Sequence, residues 1–244
     1  MVHDASAGLL AGMKESSRDS LHISVSTVSP NTSRSLAADH EEHGAGFVGA
    51  PIFARPDGVR ARQGSFVVGG KADLVERATP VLQTTCAVWN FGTDPGAGNV
   101  VKLCGNFLIA ATIEAMSETL ALAENNGVDR NAVKDMLTST IFDCLIYKGY
   151  GQRVAERDHR PGGFALELGL KDVSLVKSVA ADSNVPMPFA SALHDRFLQA
   201  RAQGLADFDW SAIGLLASEA AGVDVSEAKA AIQEAVDQEK ADQA

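Results

Sequence analysis

The sequence predicts an α/β fold in which a parallel sheet is followed by an all-α C-terminal domain. Short β-branched runs alternate with helical segments up to about residue 93. Beyond that point, apolar residues recur every three or four positions, as on one face of a helix. The first elements come in the order strand, helix, strand, which is typical of a right-handed βαβ unit with parallel strands.

The sheet is predicted from four strands, at residues 22–28, 47–53, 65–68 and 86–91. Ser29 and Pro30 predict the start of the first helix, because serine is a common N-cap and proline fits the first turn. Gly44 predicts the end of that helix. A second helix is predicted at residues 71–83, and the stretch before the third strand is polar and rich in turn residues.

The C-terminal domain begins with one long predicted helix, from about residue 94 to Asn126. Shorter helices are predicted at residues 130–137, 141–153, 166–183, 189–203 and 210–221. The tail from Asp224 is rich in Ala, Glu, Gln and Lys, and we expect a solvated or frayed helix there. The predicted segments are therefore residues 1–93, 94–222 and 223–244.

Charge and composition narrow the class of protein. The net charge of -10 disfavours binding to nucleic acid or to an anionic membrane surface. No run of about eighteen apolar residues predicts a transmembrane helix, and the acidic residues among the first twenty do not suit a signal peptide. The three cysteines lie far apart, so we expect no disulfide framework and a reducing, cytoplasmic location.

Residues 44–49 match the pattern G-x-G-x-x-G letter for letter. A phosphate-binding loop of that kind must leave a strand and open a helix, so that the helix N-terminus faces the phosphate. Here the run leaves a predicted helix and enters a predicted strand, and we do not expect it to bind phosphate.

A second glycine-containing motif, GAGNVVKLCGN, opens the long helix at residues 96–106. Lys102 and Asn106 are four positions apart and share one helix face. A lysine that faces a cleft can exchange a proton with a substrate hydroxyl, and an amide one turn on can hold a substrate oxygen. In the alternative interpretation, which spacing alone favours, the lysine stem packs on the helix and its ammonium reaches water.

Three further groups have two interpretations each. Ser26 and Thr27 follow a predicted strand, where open α/β sheets bind ligands, but a serine-capped helix start also explains them. Lys171 could reach a cofactor, or form an exposed ion pair with its neighbour Asp172. His40 and His43 lie late on a predicted helix, and we expect a solvated face there rather than a metal site.

Taken in order, these motifs resemble those of the β-hydroxyacid dehydrogenase family, which includes 3-hydroxyisobutyrate, tartronate semialdehyde and 6-phosphogluconate enzymes and the related imine reductases. SVSTVSP resembles the family's strand-end motif, and GAGNVVKLCGN resembles its catalytic G-x-G-x-x-x-K-x-x-x-N. LGLKDVSLV, NVPMPFA and DFDWSAI resemble its C-terminal signatures. The resemblance covers about residues 8–221.

The resemblance implies a partial Rossmann-type domain, an all-helical dehydrogenase domain, NAD or NADP as cofactor, and a homodimer. The implied reaction is hydride transfer between nicotinamide and a small β-hydroxy acid or its carbonyl form. Lys102 would be the catalytic acid/base, with Ser26 and Asn106 in substrate binding and Thr27 and Lys171 in cofactor binding. The sequence does not choose between NAD and NADP, and it does not name the substrate.

The chain departs from the family pattern after the second predicted strand. The family motif usually ends there in Ser-Gly-Gly, which grips the substrate carboxylate, whereas residues 50–56 are APIFARP. The change adds an aromatic ring and a guanidinium, and Arg55 either replaces the lost contacts or is a surface charge. This pattern leans toward the imine reductases, but those enzymes usually carry Asp or Tyr where this chain has Lys102.

The second departure concerns the front of the nucleotide-binding domain. The family begins with a strand, a true G-x-G-x-x-G and further βα units before the point that corresponds to Gly8. We therefore expect an unpaired sheet edge beside the first predicted strand. The alternatives are a catalytically inactive homologue that acts as a dimerisation or partner-binding protein, or a start codon placed too late in the gene.

Overall fold

A computed structural model of the protein describes residues 8–15 and 19–242. The chain forms two compact units, residues 1–104 and 105–244, and the division falls inside one long helix. The boundary that the sequence predicts between the two domains lies near residue 93, just before that helix begins. The predicted fold class, a small sheet followed by a helical region, is confirmed.

The first unit contains five short strands and the helices between them. Its elements are α1 (Leu9–Glu15), β1 (Leu21–Ser24), α2 (Pro30–Glu42), β2 (Gly46–Gly49), β3 (Ile52–Phe53), α3 (Pro56–Arg60), β4 (Ser65–Val68), α4 (Ala72–Gln83), β5 (Ala87–Asn90) and the start of α5 (Ala97–Asn125). Strands β1 and β2 pair in parallel, as the predicted βαβ unit requires. Strand β4 pairs in parallel with β5 and antiparallel with β3.

Local chemistry explains where these elements begin and end. Ser29 caps α2 by accepting a hydrogen bond from the Thr32 backbone N–H, and Pro30 is the first helical residue, as predicted. The single strand predicted at residues 47–53 is wrong, because Pro51 has no N–H to donate to a ladder. The Pro51 carbonyl instead accepts from the backbone N–H of Val67 at 3.0 Å, and the chain turns to form the antiparallel β3.

Two short helices of the first unit are not predicted by the sequence pattern. Helix α3 begins at Pro56 and carries Asp57 in its first turn, a favourable position for an acidic residue. Helix α1 lies before the first predicted strand, in a stretch with no clear apolar period. Strand β1 is also shorter than predicted and ends at Ser24, four residues before the predicted end at Val28.

His40 lies in the core of the first unit, so the solvated face expected for this residue is wrong. Its side chain is fully buried, with Nδ1 2.6 Å from the Leu36 carbonyl oxygen and Nε2 2.9 Å from Nδ1 of His22. The ring of Phe47 packs against both imidazoles. Burial and the neighbouring His40 lower the pKa of His22. The pair therefore joins α2 to β1 and β2 as an aromatic, hydrogen-bonded contact.

The regular elements described in the second unit are helices, as predicted. They are the rest of α5, α6 (Arg130–Ser139), α7 (Leu145–Glu156), α8 (Leu166–Asp182), α9 (Pro188–Ala202), α10 (Ile213–Ala220) and α11 (Ser226–Asp242), with a 3-10 turn at Trp210–Ala212. Helix α11 is not the solvated or frayed tail that composition suggests. Ile232 and Val236 are buried in the core with Val225, because apolar residues recur along one face of the helix.

The core of the second unit surrounds Trp210, whose indole contacts the rings of Tyr150, Phe164 and Phe197. Helix α5 is long and apolar enough to cross a membrane by length and composition alone, although the sequence pattern predicts no such span. Its apolar side chains enter this core, including Ile113. Burial of these side chains stabilises the unit by about 1.5–3 kcal/mol for each large one.

His159 is a second buried histidine, 1% exposed. Its Nδ1 lies 2.8 Å from Ser211 Oγ, which itself donates to Asp209 Oδ1 at 2.6 Å. Nδ1 therefore carries the proton and donates to Ser211. Nε2 is buried with no hydrogen-bond partner, so a second proton there would be an unpaired buried charge.

Burial lowers the pKa of His159 from 6.5 to about 4, against the opposing attraction of Asp209. The unfolded chain takes up a proton below pH 6.5 and the folded chain does not, so the free energy of unfolding falls as the pH drops. We expect a contribution of about 1.4 kcal/mol per pH unit in this range. Urea unfolding at pH 6.5 and 5.0, followed by the fluorescence of Trp210 in a Trp89→Phe background, measures it. His159→Gln should remove this contribution; an unchanged pH dependence in that variant would contradict the assignment.

Candidate active site

The start of α5 packs directly against the backbone at the ends of the strands. A Cβ atom placed on Gly98 would lie 2.3 Å from the carbonyl oxygen of Val67, and one on Gly69 would lie 2.3 Å from that of Asp94. A Cβ on Gly96 would lie 2.8 Å from the carbonyl oxygen of Pro30. Only glycine fits these positions, so the two glycines of the GAGNVVK motif serve close packing of the helix on the sheet.

Asn99 connects this helix to the loop that follows β1, and the sequence pattern did not single it out. Its buried amide accepts from the Val28 backbone N–H at 3.0 Å and donates to Ser33 Oγ at 2.8 Å. Ser26 is exposed in that loop and Thr27 is half-buried. The loop expected to bind ligand is therefore fixed to α5, one turn before Lys102. A polar residue three positions before a candidate lysine was the signal in the sequence.

Asn99→Ala should free the β1–α2 loop, because the Val28 N–H loses its acceptor. A lost buried partner costs about 1–3 kcal/mol, and we expect the amide of Val28 to exchange its hydrogen at least about ten-fold faster. Ser33→Ala is the matched control, since it removes the second bond of Asn99 and leaves the Val28 bond in place. Amide exchange followed by NMR distinguishes the two variants. Equal exchange at Val28 in wild type and Asn99→Ala would show that Asn99 does not hold the loop.

The alternative interpretation requires the ammonium of Lys102 to reach water, but this residue is buried. The residue is 8% exposed, and its Nζ lies 4.3 Å from the centroid of the Phe53 ring. This is a cation–π contact, in which the negative face of the ring attracts the ammonium. Phe53 is the last residue of β3 and pairs with Ser65 of β4, so strand pairing fixes the backbone that carries the ring. The helix and the sheet together hold the lysine beside an aromatic wall.

Asn106 belongs to the second unit, where it contacts a buried carboxylate. Its Nδ2 donates to Asp172 Oδ2 at 2.5 Å, which joins α5 to α8. Asp172 is 1% exposed, and its Oδ1 lies 2.9 Å from Nζ of Lys171, whose side chain is 46% exposed. The ion pair that the sequence suggests is therefore present, but it is exposed only at Lys171, whereas Asp172 is buried and also accepts from Asn106. Asp172 is the second site residue that the sequence pattern missed.

The structure thus groups the predicted site residues in two sets. Ser26, Thr27 and Lys102 lie in the first unit, where Asn99 ties the loop of the first two to the helix of the third. Asn106 and Lys171 lie in the second unit, on either side of Asp172. Lys102 and Asn106 are one turn apart on the continuous α5.

Two side-chain contacts near the start of α7 have simple local explanations. Asp143 forms an exposed ion pair with Lys148, and Tyr147 stacks on Phe142. Within residues 8–15 and 19–242, no cluster of three His, Cys, Asp or Glu side chains is arranged to hold a metal ion.

Two family models together match most of the chain. Residues 96–218 match the NAD-binding domain of NADP-dependent 3-hydroxyisobutyrate dehydrogenase. Residues 1–103 match the NAD binding domain of 6-phosphogluconate dehydrogenase. The described fold and these matches define an NAD(P)-dependent dehydrogenase with a sheet-containing first part and a helical second part.

Individual relatives indicate the same family as the two family models. An uncharacterized oxidoreductase of Bacillus subtilis is 32% identical over 207 residues, which are 84% of this chain and 71% of the relative. The mitochondrial 3-hydroxyisobutyrate dehydrogenase of Drosophila melanogaster is 30% identical over 209 residues, 80% of this chain and 62% of the relative. A crystal structure of 3-hydroxyisobutyrate dehydrogenase from Salmonella typhimurium has a TM-score of 0.74 and 25% identity, and covers 80% of this chain and 69% of its own. The chain belongs to the 3-hydroxyisobutyrate dehydrogenase-like family of NAD(P)-dependent oxidoreductases.

Proposed function

We propose that this chain transfers a hydride between NAD or NADP and a small β-hydroxy acid or its carbonyl form, with Lys102 as the acid/base. The observation that carries the proposal is the buried side chain of Lys102, held beside Phe53 on a helix whose start is packed on the strand ends. A lysine positioned at such a site can exchange a proton with a substrate oxygen.

The substrates named for the relatives support the class of substrate. Relatives are named 3-hydroxyisobutyrate dehydrogenase, 2-(hydroxymethyl)glutarate dehydrogenase and NAD-dependent L-serine dehydrogenase, at 30%, 27% and 28% identity. The named compounds share the skeleton HOCH2–CHR–COO⁻ and differ in R. We propose a substrate of this skeleton, or the aldehyde formed from it, for this chain.

The described residues supply part of a dinucleotide site. The loop after β1 carries Ser26 and Thr27 at the carboxyl end of a parallel strand, beside the N-terminus of α2, which is the edge where such sheets bind ligands. The glycine run at 44–49 does not contribute, because Gly46 opens β2 and a Cβ there would meet Leu74 at 2.8 Å. We propose that Thr27 and Lys171 contact the cofactor, which when bound supplies or accepts the hydride.

The remaining roles concern the substrate and its proton. In the direction of reduction, Lys102 Nζ donates a proton to the carbonyl oxygen as it becomes a hydroxyl; in oxidation Nζ takes the proton back. Ser26 provides a hydroxyl that donates to the substrate carboxylate. Asn106, oriented by Asp172, binds a substrate oxygen. A homodimer and a cytoplasmic location complete the proposal.

Lys102→Ala tests the central role. We expect kcat to fall by about 10²–10⁴-fold, with a much smaller change in coenzyme affinity, since the lost group acts on the proton and not on coenzyme binding. Turnover is followed by NAD(P)H absorbance, and coenzyme affinity by titrating NADPH and NADH against protein fluorescence. Lys148→Ala, at an exposed ion pair, is the control and should match wild type.

The same titration separates this proposal from its alternative, an inactive homologue that acts by dimerisation or by binding a partner. Binding of either coenzyme at micromolar concentration contradicts the inactive homologue. Failure of both coenzymes to bind at millimolar concentration contradicts the proposed enzyme.

A further inference from the structure

The side chain of Phe53 occupies the space next to the amine of Lys102. The distance from Nζ to the ring centroid is 4.3 Å, and the ring is half-buried, so part of it stays accessible. Both side chains belong to the first unit and stand on fixed elements. Strand pairing places Phe53 opposite Ser65, and the glycine contact at Gly98 places the helix that carries Lys102.

This geometry limits what a substrate can present to β3. A substrate oxygen that accepts a hydrogen bond from Nζ lies about 2.9 Å from it, and therefore within roughly 7 Å of the ring centroid. When the substrate approaches Nζ from the side of the ring, the group attached to the carbon that bears this oxygen comes within van der Waals reach of Phe53. One substituent of the substrate then packs against the ring.

The ring selects the chemistry of that substituent. It has no hydrogen-bond donor, and its negative face already attracts the Lys102 ammonium, so a carboxylate or sulfonate placed there would lose its water and compete with the ring for that one cation. An added ammonium would face the like charge of Lys102. An alkyl or aryl group avoids both of these costs, and its contact with the ring buries apolar surface of the substrate and of Phe53.

We infer that Phe53 is a specificity-determining residue, and that the substrate HOCH2–CHR–COO⁻, or its aldehyde, carries an apolar R group packed on the Phe53 ring. The inference rests on the proposed dehydrogenase function and narrows its substrates. Arg55, two residues further along at the start of α3, lies beyond the end of β3. With the apolar group on the ring, the substrate carboxylate faces the polar groups of the site.

Two substrates of the same shape test the inference. R is isobutyl in one and carboxymethyl in the other, so that they differ in charge and hardly in size. We expect wild type to prefer the isobutyl compound by at least about ten-fold in kcat/KM. Phe53→Ser should bring the ratio near one, and Phe53→Leu, which keeps an apolar side chain, should retain the preference. Phe91→Ser changes an exposed phenylalanine of the same unit and should leave the ratio at its wild-type value.

The outcomes separate the two proposals. Turnover with a preference for the carboxymethyl compound, or with a ratio that Phe53→Ser does not change, overturns the role of Phe53 and leaves the dehydrogenase proposal standing. If neither compound is turned over, the dehydrogenase proposal fails, and binding decides the role of Phe53. Protection of Lys102 from reductive methylation by formaldehyde and cyanoborohydride, measured by peptide mass spectrometry, reports that binding. Stronger protection by the isobutyl acid supports the role of Phe53; equal, weaker or absent protection overturns it.

Discussion

The contact on which the candidate site depends is the approach of two backbones, that of α5 at Gly98 and that of β4 at Val67. The approach is closer than any side chain allows, since a Cβ on Gly98 would lie 2.3 Å from the Val67 carbonyl oxygen. It seats the first turn of the helix on the strand ends, next to the polar contacts of the site in the first unit. Asn99 reaches Val28, and one turn further Lys102 reaches Phe53.

The corresponding constraint in the second unit is the burial of a carboxylate. Asp172 is almost fully buried, and a buried charge is tolerated only with partners that donate to it or neutralise it. Asn106 and Lys171 supply those partners, each from a motif that resembles the dehydrogenase family. The same side chains that the resemblance assigns to ligand binding thus also keep α5 and α8 together. A substitution at Asp172 would for that reason change both packing and the orientation of Asn106.

Features that depend on neighbouring residues could be predicted from the sequence, and features that depend on distant ones could not. The cap at Ser29 and Pro30, the parallel βαβ pair and the long apolar helix are local, and the structure confirms them. The burial of His40 depends on the packing of α2 against two strands, so it could not be predicted from a polar residue and its sequence neighbours. Asn99 and Asp172 bond to residues 71 and 66 positions away. The family resemblance identified Lys102, whereas the ring beside it emerged only from the fold.

The most direct test of this account is the position of Lys102 relative to the Phe53 ring when the contact at Gly98 is blocked. In wild type the ring current of Phe53 should shift the ε-methylene protons of Lys102 upfield in the ¹H–¹³C NMR spectrum. Gly98→Ala should move these signals back toward their random-coil position and lower the melting temperature. Gly149→Ala, at a helical glycine with open space around it, should leave both unchanged. A Gly98→Ala protein with the wild-type shift and melting temperature would show that the close approach of the two backbones does not position Lys102.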